Sequence, residues 1–260
     1  MTVHFVGAGP GAADLLTLRA AEALRAADVC LYAGTYLDEG VLDHCRPVAR
    51  LVDTQHLDLN GIIAEITEAH AAGHEVVRLC SGDPSLYSAL AEQTRRLDAV
   101  GVSWDVVPGV PAYAAAAAEL GVELTVPEVV QSVVLTRVQA RSTAMPSAES
   151  LENFAATGAT LVLHLAITRI REIAERLVPT HGADCPVAVV SNASRPHRVE
   201  IRGTLADIAD AVEGAGLRQA AVILVGRALE RPGTAESWLY ASDPEREAKR
   251  RTLDPVDRQR

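Results

Sequence analysis

The eleven residues Cys80-Ser-Gly-Asp-Pro-Ser-Leu-Tyr-Ser-Ala-Leu90 combine the residue types from which ligand-binding loops are built. They follow the apolar run Glu75-Val-Val-Arg-Leu79, which reads as a buried strand. A helix is expected from about Ser85 to Val100, so Ser-Gly-Asp-Pro falls at the carboxyl end of a strand, where open α/β sheets place their ligands. Gly82 permits close approach to the backbone. Asp83 offers a carboxylate that can cap the next helix or grip a hydroxyl or amine, and Pro84 fits a first helical turn. The same residues would also serve a plain strand-to-helix turn.

A second loop of this kind opens the chain. The short strand Thr2-Val-His-Phe-Val6 leads into Gly7-Ala-Gly-Pro-Gly-Ala12 and then a helical segment. Gly7, Gly9 and Ala12 satisfy the looser form of the dinucleotide-binding fingerprint. Two details oppose that reading. Pro10 removes an N–H from the stretch that would cradle a pyrophosphate. The next strand, Asp28–Ala33, ends in Gly34 and Thr35 where a ribose-binding acid would stand, and Asp38 comes several residues late. The glycines still imply close backbone approach by some ligand.

The elements that must hold these loops alternate strand and helix. Strands are expected at 49–52, 75–80 and 103–107, with helices at about 60–73, 85–100 and after Pro108-Gly-Val-Pro-Ala-Tyr113. That pattern predicts a mostly parallel sheet with helices on both faces, over residues 1–119. The stretch Leu120–Pro127 reads as the crossing to a second domain, 125–242. There a long β-branched strand over 129–136 is expected, with further strands at 159–165, 186–191, 198–202 and 220–226. Helices are expected at 148–156, 168–178 and 204–213. The close pair 186–191 and 198–202 suggests a hairpin-like element and hence an α+β domain with a mixed sheet. From Asp243 the chain is charged and lacks apolar periodicity, so 243–260 is expected to be a solvated tail.

Composition narrows the function classes. The chain has 260 residues and a 48% apolar fraction, ample for packed cores. A formal charge of −10 opposes broad nucleic-acid or membrane-surface binding. No apolar run approaches a membrane span and no signal-peptide pattern opens the chain. Cys30, Cys45, Cys80 and Cys185 show no paired spacing and the eight His residues no metal spacing, so reduced core cysteines, no metal site and a cytoplasmic location are expected.

Four blocks then combine in one order: Phe5–Gly11 with Leu15–Leu18, Ser81–Tyr87, Val107–Val110 and Pro186–Val190. In this order and spacing the chain resembles the tetrapyrrole (corrin-pathway) methyltransferases that use S-adenosylmethionine. Tyr32-Ala-Gly-Thr35, the run Glu123–Arg137 and Met145-Pro leading to Glu149-Ser-Leu151 are most similar to members that methylate ring carbon 11 of a precorrin on the way to cobalamin. The resemblance implies a two-domain fold, a homodimer, and S-adenosylmethionine in the cleft between domains. By motif position it assigns cofactor contacts to Pro10, Ser81, Gly82, Asp83, Leu86, Pro111 and Ala112, and to Leu165, Ala193 and Ala221 of the second domain. The last three also fit ordinary core packing.

The resemblance names no catalytic base. A poly-anionic ring requires local cations, and Arg137, Arg141, Arg169, Arg171, Arg195 and Arg198 all fall near expected strand ends or loops of the second domain. Arg137 alternates with Val133 and Leu135, which places it on their face at the rim of the cleft, and Tyr113 opens the helix after the third loop; both are substrate-binding candidates. His164 stands where the family usually has an apolar or aromatic residue and reads as a satisfied core histidine. A metal-free and a cobalt-containing ring remain alternatives. So do a nicotinamide-dependent oxidoreductase, on the first loop alone, and a sensor without turnover.

Overall fold

The computed structural model describes residues 1–34, 37–138 and 144–230. The expected tail from Asp243, together with Thr35 and Arg141, lies outside the described residues.

The first half forms β1 (Val3–Gly7), α1 (Leu18–Ala26), β2 (Val29–Tyr32), α2 (Glu39–Leu42), β3 (Arg50–Asp53), α3 (Leu59–Ala71), β4 (Val76–Cys80), α4 (Leu90–Ala99), β5 (Trp104–Val107) and α5 (Ala112–Leu120). Its strands make a five-stranded sheet in the order β3-β2-β4-β1-β5. Every neighbouring pair is parallel, so the sheet is wholly rather than mostly parallel. Period-two alternation sorts the strand residues. Val3, Phe5, Val29, Leu31, Val76 and Cys80 pack against α3 and α4, and Val6, Cys30, Val77, Leu79 and Val107 against α1 and α2. Both faces are buried, which is why these strands read as continuous apolar runs.

The second half forms β6 (Val133–Arg137), α6 (Leu151–Ala155), β7 (Thr160–His164), α7 (Ile170–His181), β8 (Pro186–Ser191), β9 (Val199–Thr204), α8 (Ile208–Gly214) and β10 (Ala221–Val225). The sheet order is β6-β7-β10-β8-β9. β6 and β7 pair parallel and the remaining pairs are antiparallel, including the expected β8–β9 pair. Leu161, Leu163, Val187, Val189, Ile223 and Val225 face α6, α7 and α8. The opposite face, with Val162, Ala188, Val190, Val222 and Leu224, packs on Ala115, Ala116 and Leu120 of α5. α5 therefore joins the halves. Its alanines let it lie close to the second sheet.

Three elements start four or five residues later than the sequence suggests; one is α8, which begins at Ile208 and not at 204 because β9 runs on to Thr204. α4 begins at Leu90, not near Ser85, because Tyr87 (φ 54°) and Ala89 (φ 56°) adopt left-handed conformations that interrupt any helix. Pro84 consequently sits in a turn and not in a helix. β6 begins at Val133, not Val129: the N–H groups of Val129 and Val130 both donate to the Val126 carbonyl, around Glu128 at φ 62°.

Candidate active site

The carboxyl ends of β1, β4 and β5 converge on a tight backbone crossing. A Cβ on Gly7 would lie 2.5 Å from the Gly109 Cα and 2.8 Å from the Gly82 carbonyl oxygen, so a side chain there has no room. The loops after β1 and β4 are tied reciprocally. Gly9 N–H donates to the Gly82 carbonyl at 3.1 Å, and Gly82 N–H donates back to the Gly9 carbonyl at 2.8 Å. Ala8 N–H donates to the Cys80 carbonyl, and Ala12 N–H donates to the Ser194 hydroxyl of the second half at 3.0 Å. With Pro10 lacking an N–H, the first loop has spent nearly all its donors inside the protein. α1 starts only at Leu18, so no long helix aims its N-terminus at this loop. The loop is not a pyrophosphate cradle.

Asp83 is the pin of the arrangement. Its Oδ2 accepts from Gly109 N–H at 2.8 Å, and its Oδ1 accepts from Ser85 N–H at 2.8 Å and from the Ser85 hydroxyl. Burial pushes the carboxyl pKa up, but these donors outweigh it and hold Asp83 below its usual value. The residue caps the turn after β4 and ties it to the loop after β5; it does not cap α4, whose N-cap is Ala89. Its carboxylate is thus largely committed to the scaffold.

Above this crossing lies a cavity of about 420 Å³ between the two halves. From the first half it is lined by Pro10, Ser81, Gly82, Asp83, Leu86, Pro111 and Ala112, and from the second by Leu165, Ala193 and Ala221. Residues far apart in sequence, all assigned to one ligand on motif position, therefore share one wall. Leu165 is not core packing: it is 67% exposed and holds φ 55°. Ala193 is buried beneath the wall. The second-half wall is one edge of the sheet, where β7 and β8 end and antiparallel β10 begins; Asn192 N–H donates to the Ala220 carbonyl at 2.8 Å.

Sequence reasoning missed Tyr87, Thr168, Asn192, Arg218, Gln219 and Ala220, which also line the cavity. Backbone conformation is the signal that finds several of them. Among non-glycine residues with positive φ, Tyr87, Leu165, Asn192 and Ala220 all lie on this wall. The wall also carries charge, from Arg195, Arg218 and Asp83.

The arginine candidates divide. Arg171 lies in α7 and pairs with Asp210 and Glu213 on the outer helical layer, away from the cavity. Arg198 pairs with Glu119 of α5, and Arg195 reaches the cavity beside Gly11. Arg137 ends β6 on the face of Val133 and Leu135 and lines a second hollow of about 490 Å³ with Met145, Glu149, Ser150, Arg169 and Arg176. Arg169 and Arg176 are ion-paired there with Glu172 and Glu152. Tyr87 connects the two spaces: burial raises its phenol pKa, while Arg137 lowers it and Glu149 raises it. Tyr113, on the first turn of α5, does not line the cavity but packs edge-on against His164, ring centroids 6.4 Å apart.

His164 departs from the satisfied core residue expected. Its ring is half-buried on the cavity wall, and Nε2 is sealed without a hydrogen-bond partner. Cys80, at the end of β4, is inert, since burial pushes its thiol up to about 11.

A family model described as tetrapyrrole (corrin/porphyrin) methylases matches residues 2–209. The chain belongs to the tetrapyrrole methylase family. A precorrin-4 C(11)-methyltransferase of Rhodococcus erythropolis is 55% identical over 246 residues, 95% of this chain and 99% of that protein. A cobalt-precorrin-4 C(11)-methyltransferase of Methanocaldococcus jannaschii is 38% identical, covering 94% of this chain and 95% of its own. Among solved structures, a cobalt precorrin-4 methyltransferase of cobalamin biosynthesis superimposes with a TM-score of 0.85 at 35% identity, over 88% of this chain and 96% of its own. Uroporphyrin-III C-methyltransferase from Thermus thermophilus, solved with S-adenosylhomocysteine, gives 0.73 at 29% identity, over 88% and 94%. Family membership makes the chain a methyltransferase and removes the oxidoreductase alternative, which rested on the first loop alone.

Proposed function

We propose that the chain transfers the methyl group of S-adenosylmethionine to ring carbon 11 of precorrin-4, giving precorrin-5, within cobalamin biosynthesis. The observation that carries this reading is the shared wall: every position assigned to the cofactor lines one cavity, in a chain 55% identical to a precorrin-4 C(11)-methyltransferase. Relatives acting on the metal-free ring are more similar than the cobalt-precorrin-4 one at 38%, which favours a metal-free substrate.

The cavity fits the cofactor in size and chemistry. About 420 Å³ suits a ligand of nucleoside size, and the apolar wall of Leu86, Pro111, Ala112 and Ala221 suits a sulfonium and its carbon arms better than a pyrophosphate. Bound there, the cofactor supplies a methyl group already activated by its positive sulfur. The protein's share is to orient and to exclude water, for which rigid loops pinned by Asp83 are suited. The ring would lie toward Arg137 and Tyr113, with Arg137 offering a planar fork to a ring carboxylate. Residues 1–119 and 125–242 act as two domains with the ligands in the cleft between them, in a homodimer carried over from the resemblance and in the cytoplasm, as the unpaired cysteines suggest.

The test is incubation with precorrin-4 and methyl-labelled S-adenosylmethionine, followed by location of the label. Label on carbon 11 is expected. Label on another ring carbon, or turnover only with the cobalt-containing ring, would replace this reading.

A further inference from the structure

We infer that His164 is the catalytic base that removes a proton from the ring as the methyl group arrives. The inference rests on the reading of this cavity as a tetrapyrrole methylation site. The chemistry requires such a group. When a methyl group passes from a sulfonium to a neutral ring carbon, the electron pair of the C–S bond stays with sulfur. A ring electron pair forms the new C–C bond, which leaves the ring with one surplus positive charge. One proton must then leave it. In the proposed step the proton goes to Nδ1 of His164 and from there to water.

The geometry places His164 where both reactants meet. It ends β7 and is paired in register with Arg137, the last residue of β6, so the two side chains share a sheet face. His164 lines the larger cavity, and Arg137 lines the hollow beside it. The imidazole thus stands at the seam between the space suited to the cofactor and the arginine-lined space suited to ring carboxylates. Tyr87 packs against it with a centroid separation of 5.6 Å and Tyr113 at 6.4 Å, fixing the ring plane from the loop after β4 and from α5.

Burial selects its protonation state. It disfavours the charged imidazolium and lowers the pKa, so the ring is neutral at pH 7. Nε2 is sealed and Nδ1 is not. With the single hydrogen of the neutral ring on Nε2, the Nδ1 lone pair is free to take a proton. The resulting cation is poorly solvated and releases the proton readily, which favours turnover. The facing groups are Tyr87, Tyr113 and Arg137, none of them a carboxylate that would trap the cation. Other wall residues are unsuited. Asp83 is held by Gly109 and Ser85, Tyr87 has a raised phenol pKa, and Arg195 and Arg218 are cations.

The test compares the parent with His164→Phe, which keeps the aromatic packing, and His164→Asn. Single-turnover methylation should slow by about 100-fold or more in both, the usual worth of a general base. The acid limb of the parent's pH–rate profile should vanish in the variants, while adenosylhomocysteine affinity stays within twofold. A rate within threefold of the parent overturns the inference, and so does a tenfold loss of adenosylhomocysteine affinity, which would make His164 a cofactor-positioning residue. Nitrogen-15 NMR of the parent's imidazole, with adenosylhomocysteine bound at pH 7, gives an answer even if the parent methylates no tetrapyrrole. A neutral ring with hydrogen on Nε2 is expected; a charged ring, or hydrogen on Nδ1, overturns the base role. Failure of the parent to use any tetrapyrrole would instead count against the functional reading.

Discussion

Removing the Asp83 carboxylate should cost stability and cofactor binding together. Asp83→Ala deletes the acceptor for Gly109 N–H, at 2.8 Å in a partly buried crossing, and the acceptors for Ser85 N–H and Oγ in the turn. A hydrogen bond to a charged group contributes roughly 1.5–3 kcal/mol, and a turn or cap contact about 1 kcal/mol. The Ser85 groups can turn to water, so the Gly109 contact dominates and the sum is about 3 kcal/mol. For a chain of this size that is a drop of roughly 6–12 °C in melting temperature. Asp83→Asn keeps the shape but sets an amide N–H against one of the backbone donors, so about half the loss is expected. The pH dependence has a fixed sign. The native carboxyl lies below its usual value of 3.8, so its contribution is complete above that value and fades as pH falls through the native one. Parent and Asp83→Ala should therefore converge in strong acid. Scanning calorimetry reads the stability, and titration with adenosylhomocysteine reads binding, which should weaken about tenfold because Gly82, Pro111 and Ala112 lose their common anchor. A variant melting within 2 °C of the parent would refute the pin. One that melts lower but binds normally would confine Asp83 to the turn.

Three further outcomes test separate parts of the site. Leu165→Gly relieves a left-handed leucine at about 1 kcal/mol, so melting should not fall while adenosylhomocysteine affinity does; a lower melting temperature with normal affinity would make Leu165 structural. NAD should bind at least 100-fold more weakly than adenosylhomocysteine, because the N–H groups of Gly9 and Ala12 are already spent on Gly82 and Ser194; comparable affinities by calorimetry would contradict this. Arg137→Lys keeps charge but loses the fork, so substrate KM should rise about tenfold with melting and adenosylhomocysteine affinity unchanged; a destabilised variant with parental KM would assign Arg137 to the scaffold.

The strands were legible because burial on both faces leaves no other use for runs such as Val76–Cys80, all of whose residues are buried. The helices were legible where a cap and an apolar stripe agree, as at Asp58, which accepts from Gly61 N–H ahead of α3. The start of α4 was not, because Ser85–Ala89 has ordinary helical composition and no residue type there announces the left-handed Tyr87 and Ala89 that interrupt the helix. The role of α5 was hidden for a related reason. Its alanines announce a helix but not that a second sheet packs on it.

The cavity shows where sequence reading stops. Its first-half wall follows glycine and proline, whose backbone limits are visible in the residue type itself. Its second-half wall is made by Leu165, Asn192 and Ala220, at φ 55°, 52° and 51°, at one edge of a sheet. Nothing in a leucine or an alanine signals a left-handed backbone; the conformation is imposed by β7, β8 and β10 meeting there in antiparallel register. The neighbourhood of His164 is more remote still from composition. The parallel pairing of β6 with β7 sets Arg137 beside it, α5 brings Tyr113, and the broken start of α4 brings Tyr87. Each of those three placements follows from tertiary packing that residue types do not announce. A left-handed Tyr87 and an unpartnered Nε2 thus meet at the imidazole, which is where strain and unsatisfied polarity are expected if this wall does chemistry.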